Sequence, residues 1–364
     1  MNYTTLTLAL SAIILTGCGG GSDGKSSDAP ITTPPAPITQ GDGIPDDGPT
    51  GMNREGYALH NFEYAWNQGL TGRGAKVALY DTGINSDHIE FAETSIAAES
   101  RAYEIYSLCY EFTGDAAVDY SLVTCDRNYD GDSAGHGSNV GSIIAGATEG
   151  LAPDAELAVY NIQSTSNPNG ISASAFLFSS EEAARAGADI FNLSISVKGY
   201  SNAQARPKLL AIDASDAVMV ISAGNGAGDL EYQPQDNSFV YDEDLADNTV
   251  MVGGIEEDGV SIRFNTPGSD SALQARWIAA RTLGMGATHD SNTAIIGLVG
   301  TSQAAPAVSA AIALLLEKDP SLTGAQAAQV ILDTGNRSFA GYDVTKHGMG
   351  LLDVEAALKA LEAR

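Results

Sequence analysis

Basic residues are scarce. Against 46 Asp and Glu the chain sets only 18 Lys and Arg, a formal charge of −28 over 364 residues. That balance argues against nucleic acid or anionic lipid head groups as electrostatic partners, and it favours a soluble surface. Cysteine is nearly absent, with three in the chain, and none of the spacings resembles a zinc arrangement. The N-terminal apolar run, residues 6–15, falls well short of the roughly 20 residues a membrane-spanning helix needs. No internal repeat is present, and 364 residues suffice for one large or two modest domains.

From Gly51 onward short apolar runs alternate with helical stretches. VALY (77–80), ELAVYNI (156–162), DIFNLSI (189–195), AVMVISA (217–223) and TVMVGGI (249–255) read as buried strands. SASAFLFSSEEAARAG (172–187) reads as a helix closing on Gly187. The alternation predicts one α/β domain, a mostly parallel, doubly wound sheet with helices on both faces. Sites on such sheets lie beyond the carboxyl ends of the strands.

Four polar residues fall where such a site would be. Asp81 ends the first run in LYDTGI, and His136 lies between two glycines in SAGHGSNVGSIIAGA. Asn225 follows a strand in VISAGNGAG, and Ser302 sits in GTSQAAP ahead of a stretch, residues 304–316, whose only polar side chain is Ser309. A helix apolar on every face should be buried, and Pro306 is expected in its first turn. Each residue also has a plain structural reading: a turn cap for Asp81, a structural histidine, a turn asparagine, and an N-cap for Ser302.

TGRGAKVALYDTGI, GHGSNVGSIIAG, ISAGNG and GTSQAAPAVSAAIALLL together resemble the signature regions of the subtilisin-like serine peptidases, in the order Asp, His, Ser. GMGLLDVEAAL (348–358) is similar to that family's closing segment. The resemblance spans residues 51–360 and implies a serine endopeptidase that acts on polypeptides and requires no cofactor. Ser302 would be the nucleophile, His136 the base and Asp81 the residue that orients it. Asn225 would join the Ser302 backbone N–H in holding the oxyanion.

An extended substrate is expected along Ser194, Ile195 and Ser196, with Asn169 and Gly170 facing it and Ala223–Gly224 as the pocket wall. Plain core is the competing reading for Ile195. The chain departs from the family pattern at Ser196, Asn139 and Gln303, where glycine, histidine and methionine are usual. The stretch 146–157 is too short for the calcium loop of many relatives. Asp126, Asn128, Asp130 and Asp132 are spaced like the start of a calcium loop but lack its closing glutamate. A structural calcium there is an open alternative to a metal-free loop. A catalytically inactive, binding version of the scaffold is the alternative function.

LTGC (15–18) resembles the cleavage site of a bacterial lipoprotein signal, although no basic residue precedes the apolar run. It implies removal of residues 1–17, lipid on Cys18 and, since Gly19 follows, an outer-membrane address. Residues 18–50 contain no aromatic residue and are rich in Gly, Pro, Ser, Thr and Asp, which reads as a tether that builds no core. With Cys18 lipidated, Cys109 and Cys125 are expected to pair as a disulfide, two thiols being the alternative. Residues 51–364 are then expected to fold as a monomer without a separate prosegment.

Overall fold

The computed structural model describes residues 14–16, 50–102, 131–163, 170–195, 206–226, 228–229, 238–242 and 244–364. Cys18, Cys109, Cys125, Asp126, Asn128, Asp130, Asn169 and Ser196 lie outside these residues. Among the described residues no helix is long and apolar enough to cross a membrane.

Seven strands form the central sheet: β1 (Lys76–Asp81), β2 (Arg101–Ala102), β3 (Glu156–Asn161), β4 (Ile190–Leu193), β5 (Val218–Ser222), β6 (Thr249–Ile255) and β7 (Trp277–Arg281). Their order across the sheet is β2-β3-β1-β4-β5-β6-β7, and every pairing is parallel. Alternate residues of these strands point to opposite faces, so both faces are apolar. Val77, Leu79, Val159, Val220 and Val252 pack on one side. They meet helices α1 (His136–Ala145), α4 (Thr301–Lys318), α5 (Gly324–Thr334) and α6 (Val354–Glu362). Ala78, Tyr80, Tyr160, Phe191 and Met219 face the other side, against α2 (Ala173–Arg185) and α3 (Arg206–Asp213). Tyr80 stacks on Tyr160 and Phe191, with ring centroids 4.8 and 5.9 Å away.

All five expected strands and the expected helix are present. β7 escaped the sequence reading because WIAAR is short and two of its five residues are alanine. It becomes a strand by pairing with β6, Trp277 opposite Met251, where its side chains are fully buried. An antiparallel hairpin, Leu283–Ala287 with Ile295–Val299, leads into α4. A second antiparallel pair joins Ile14–Thr16 to Gly170–Ser172.

α4 is buried from Thr301 through Leu316, as its all-round apolar sequence requires. The start of α4 sets aside the N-cap alternative for Ser302 and moves Pro306 from its expected place. Gly300 is the N-cap and Ser302 the second helical residue, so Ser302 does not cap the helix. Pro306 is the sixth residue, inside the helix rather than in its first turn. A proline there leaves one carbonyl of the preceding turn without its N–H partner.

The chain enters the domain through a clamp on Glu149, which is almost fully buried. Its carboxylate accepts the N–H groups of Met52 and Asn53 at 2.9 and 2.8 Å. The Asn53 side chain donates to the carbonyls of Glu149 and Met285 at 2.9 and 2.8 Å. Burial raises the Glu149 pKa, the two backbone bonds oppose the rise, and the charge of Glu90 adds to it. Replacing Glu149 by Ala leaves two N–H groups without their acceptor, a cost of about 1–3 kcal/mol. Guanidinium unfolding should show that loss, and a smaller one for Glu149→Gln, which keeps a carbonyl acceptor. An unchanged midpoint in the alanine variant would show that the clamp contributes nothing.

Candidate active site

β1 ends on Asp81, which has no solvent exposure. A buried carboxylate needs hydrogen bonds, and Oδ1 accepts them from the Thr82 N–H at 2.8 Å and from His136 Nδ1 at 2.8 Å. An ionised carboxylate only accepts, so Nδ1 carries the proton and Nε2 presents its lone pair. The His136 side chain remains one-fifth exposed. Burial pulls its pKa down, but the charge and hydrogen bond of Asp81, helped by the charge of Asp132, prevail and raise it.

Close backbone approach explains the glycines beside His136. A Cβ on Gly137 would lie 2.0 Å from the Gly83 carbonyl oxygen, so α1 can start this close to the turn after Asp81 only with glycine at 137. Asp132 tightens the same junction. Its Oδ1 accepts from Thr82 Oγ1 at 2.7 Å and from the N–H groups of Ala134 and Gly135. Its Oδ2 accepts from the Ser138 N–H and hydroxyl at 2.8 and 2.7 Å. Of the four residues spaced like a calcium loop, Asp132 alone is described: protein donors reach both its oxygens, and the side chain ties α1 to the strand end that carries Asp81. Among the described residues no cluster of His, Cys, Asp and Glu could hold a metal ion.

The short turn after α1 is closed in the same way. The buried Glu90 carboxylate accepts the N–H groups of Thr148 and Glu149, both at 3.0 Å, and the Thr148 hydroxyl. Sequence reading gave Glu90 no role. Its signal is an acidic residue in an otherwise apolar turn, HIEF, which burial turns into an acceptor for backbone N–H groups.

Ser302 is buried to 1% exposure at the start of α4. The α1 and α4 helices pack together, and Gln303 Nε2 donates to Asn139 Oδ1 at 3.2 Å, three residues beyond His136 and one beyond Ser302. Ser302 Oγ and His136 Nε2 are both buried, and neither has a hydrogen-bond partner. Asn225 follows β5, and its Oδ1 accepts the Thr301 N–H and hydroxyl at 2.9 and 3.0 Å. Those bonds commit the amide oxygen to the helix start. A Cβ on Gly300 would come within 2.9 Å of Asn225 Nδ2, so the amide needs a glycine there.

The expected substrate residues divide. Ser194 is fully buried and turns its hydroxyl inward, donating to the Ser302 carbonyl at 2.8 Å, so the side chain faces α4 and not a peptide. Ile195 is fully buried in the core beside Leu193 and Ala223, which agrees with the core reading for its side chain. Gly224 donates its N–H to Thr301 Oγ1 at 3.0 Å. Gly170 lies in the strand paired with Ile14–Thr16, opposite Thr16.

A parallel α/β sheet, an imidazole held by a buried carboxylate, and a serine hydroxyl at the head of a buried helix define the class: a serine hydrolase. The chain belongs to the subtilase family, whose model matches residues 72–350, and it is a subtilisin-like serine endopeptidase. Subtilisin DY of Bacillus licheniformis is 27% identical over 295 residues, 80% of this chain and 93% of that protein. Subtilisin Savinase of Lederbergia lenta is 27% identical over 300 residues, 81% of this chain and 94% of that protein. The fold matches the prenylagaramide maturation protease PagA with a TM-score of 0.61 at 20% identity, over 82% of this chain and 98% of that one. It also matches a cold-adapted subtilisin-like serine proteinase with a TM-score of 0.57 at 21% identity, over 78% and 90% of the two chains.

Proposed function

We propose that Ser302, His136 and Asp81 cleave peptide bonds through an acyl-enzyme on Ser302. One observation carries the reading: His136 Nδ1 is bonded to Asp81 at 2.8 Å, while His136 Nε2 and Ser302 Oγ are both buried and have no hydrogen-bond partner. The Ser302 hydroxyl has a proton to give and Nε2 a lone pair to take it, and in an unliganded site that bond is often open until substrate arrives. His136 takes the Ser302 proton as Oγ attacks the carbonyl carbon, then returns it to the leaving amine. Asp81 holds the tautomer and offsets the charge that His136 gains. The amide of Asn225 and the N–H of Ser302, at the positive end of α4, hold the oxyanion.

The non-prime side of the substrate adds as a strand beside Ser194 and Ile195, with the edge at Gly170 facing it from the other side. That edge already takes an extended segment as an antiparallel partner, which supports this reading. Ala223 and Gly224 line the wall of the pocket.

We further propose that the chain is exported and held by lipid on Cys18, with residues 18–50 as spacer and Cys109 bonded to Cys125. The LTGC sequence and the core-free composition behind it support this. Intact mass of the membrane fraction should show diacylglycerol on Cys18 with residues 1–17 removed. A soluble product cut elsewhere would contradict it.

A serine-directed phosphonate should label wild-type protein on Ser302 and leave Ser302→Ala unlabelled and inactive. A wild type that shows no labelling and no peptide cleavage would favour a scaffold kept for binding.

Activity needs neutral His136, whose pKa is raised. Activity should therefore fall on acidification at a pH above the ordinary imidazole value of about 6.5. Removing the charge in Asp81→Asn should move that limb to lower pH in the residual activity. A wild-type limb below about 6 in the pH profile of kcat/KM would contradict this.

A further inference from the structure

In an α-helix each carbonyl accepts the N–H four residues on. For Ser302 that residue is Pro306, which has no N–H. The Ser302 carbonyl is buried with the rest of the helix start, and a buried carbonyl without a donor is costly. The donor comes from another element, because Ser194, just past β4, gives its hydroxyl proton to the Ser302 carbonyl at 2.8 Å.

Ser194 does not stand alone. Asn192 Nδ2 donates to Ser194 Oγ at 3.1 Å, and Ser309 Oγ donates to Asn192 Oδ1 at 2.8 Å. Asn192, Ser194 and Ser309 have no solvent exposure. Ser309 lies seven residues beyond Ser302, two turns along the same face of α4.

The bonds run in one direction only. Ser309 has one hydroxyl proton and spends it on the Asn192 oxygen, which turns the amide nitrogen toward Ser194. Ser194 then has its lone pair taken and its own proton left for the Ser302 carbonyl. Bonds in such a chain strengthen one another in a dry interior.

We infer that Asn192 and Ser309 are positioning residues for the nucleophile, acting through Ser194 to replace the N–H that Pro306 lacks. The relay holds the Ser302 carbonyl, and so the orientation of the Cα that carries both the attacking Oγ and an oxyanion N–H. The inference rests on Ser302 as nucleophile, which phosphonate labelling of the wild type checks separately.

The test is a cycle of Ser309→Ala and Pro306→Ala, with Asn192→Ala as a second break in the chain. Rates are taken per phosphonate-titrated site, so unfolded protein does not count. Alanine at 309 is smaller and a better helix former, so that variant keeps the helix. Ser309→Ala should lower kcat about fivefold, the worth of one neutral hydrogen bond, with KM unchanged and phosphonate inactivation slowed equally. Asn192→Ala should lose at least as much. With Pro306→Ala present, residue 306 supplies its own N–H, and removing the Ser309 hydroxyl should cost less than about twofold. Unchanged kcat per titrated site in Ser309→Ala, even with a lower melting point, would make the relay merely structural. A loss of the same size in both backgrounds would overturn the link to Pro306.

Discussion

A carboxylate cut off from water governs this site. Asp81 ends a strand whose neighbours on both sides are apolar, and its charge is tolerable only where hydrogen-bond donors reach it. One donor is local, the N–H of Thr82. The other is His136, 55 positions away, brought by a helix that must dock without a gap. The geometry of the imidazole is thus a consequence of satisfying a buried charge, and chemistry at Ser302 makes use of it.

Small residues make that docking feasible. Gly137 lets two backbones touch, Asp132 draws the first turn of α1 onto Thr82, and Glu90 closes the turn behind the same helix. Each carboxylate replaces water by backbone and hydroxyl donors, which is how a chain this acidic buries several acids. On the other side of the cleft the same economy appears in neutral groups. Asn225 is fixed by Thr301, and the Ser302 carbonyl by Ser194.

Strand and helix runs were legible in the sequence because burial on both faces leaves unbroken apolar stretches, as in VMVIS and TVMVGGI. The one central strand of five residues that was missed, WIAAR, owes its form to its neighbour rather than to its own propensity. Asp81, His136, Asn225 and Ser302 were readable as a set, since each lies at one end of a recognisable strand or helix run. Where the Asp132 and Ser194 side chains bond was not legible there. Their partners, Ser138 and Ser302, are chosen by how helices lie on the sheet, which spacing along the chain does not encode.

The sequence by itself determined the parallel α/β class, the burial of α4 and the order of the reacting groups, because periodicity and turn residues are local properties. Tertiary structure alone decided where each polar atom finds its partner. Pro306 shows the division. Its missing N–H can be read from the chain, but the hydroxyl that replaces it comes from Ser194, 108 positions earlier, and meets Ser302 only after the sheet and helix have packed.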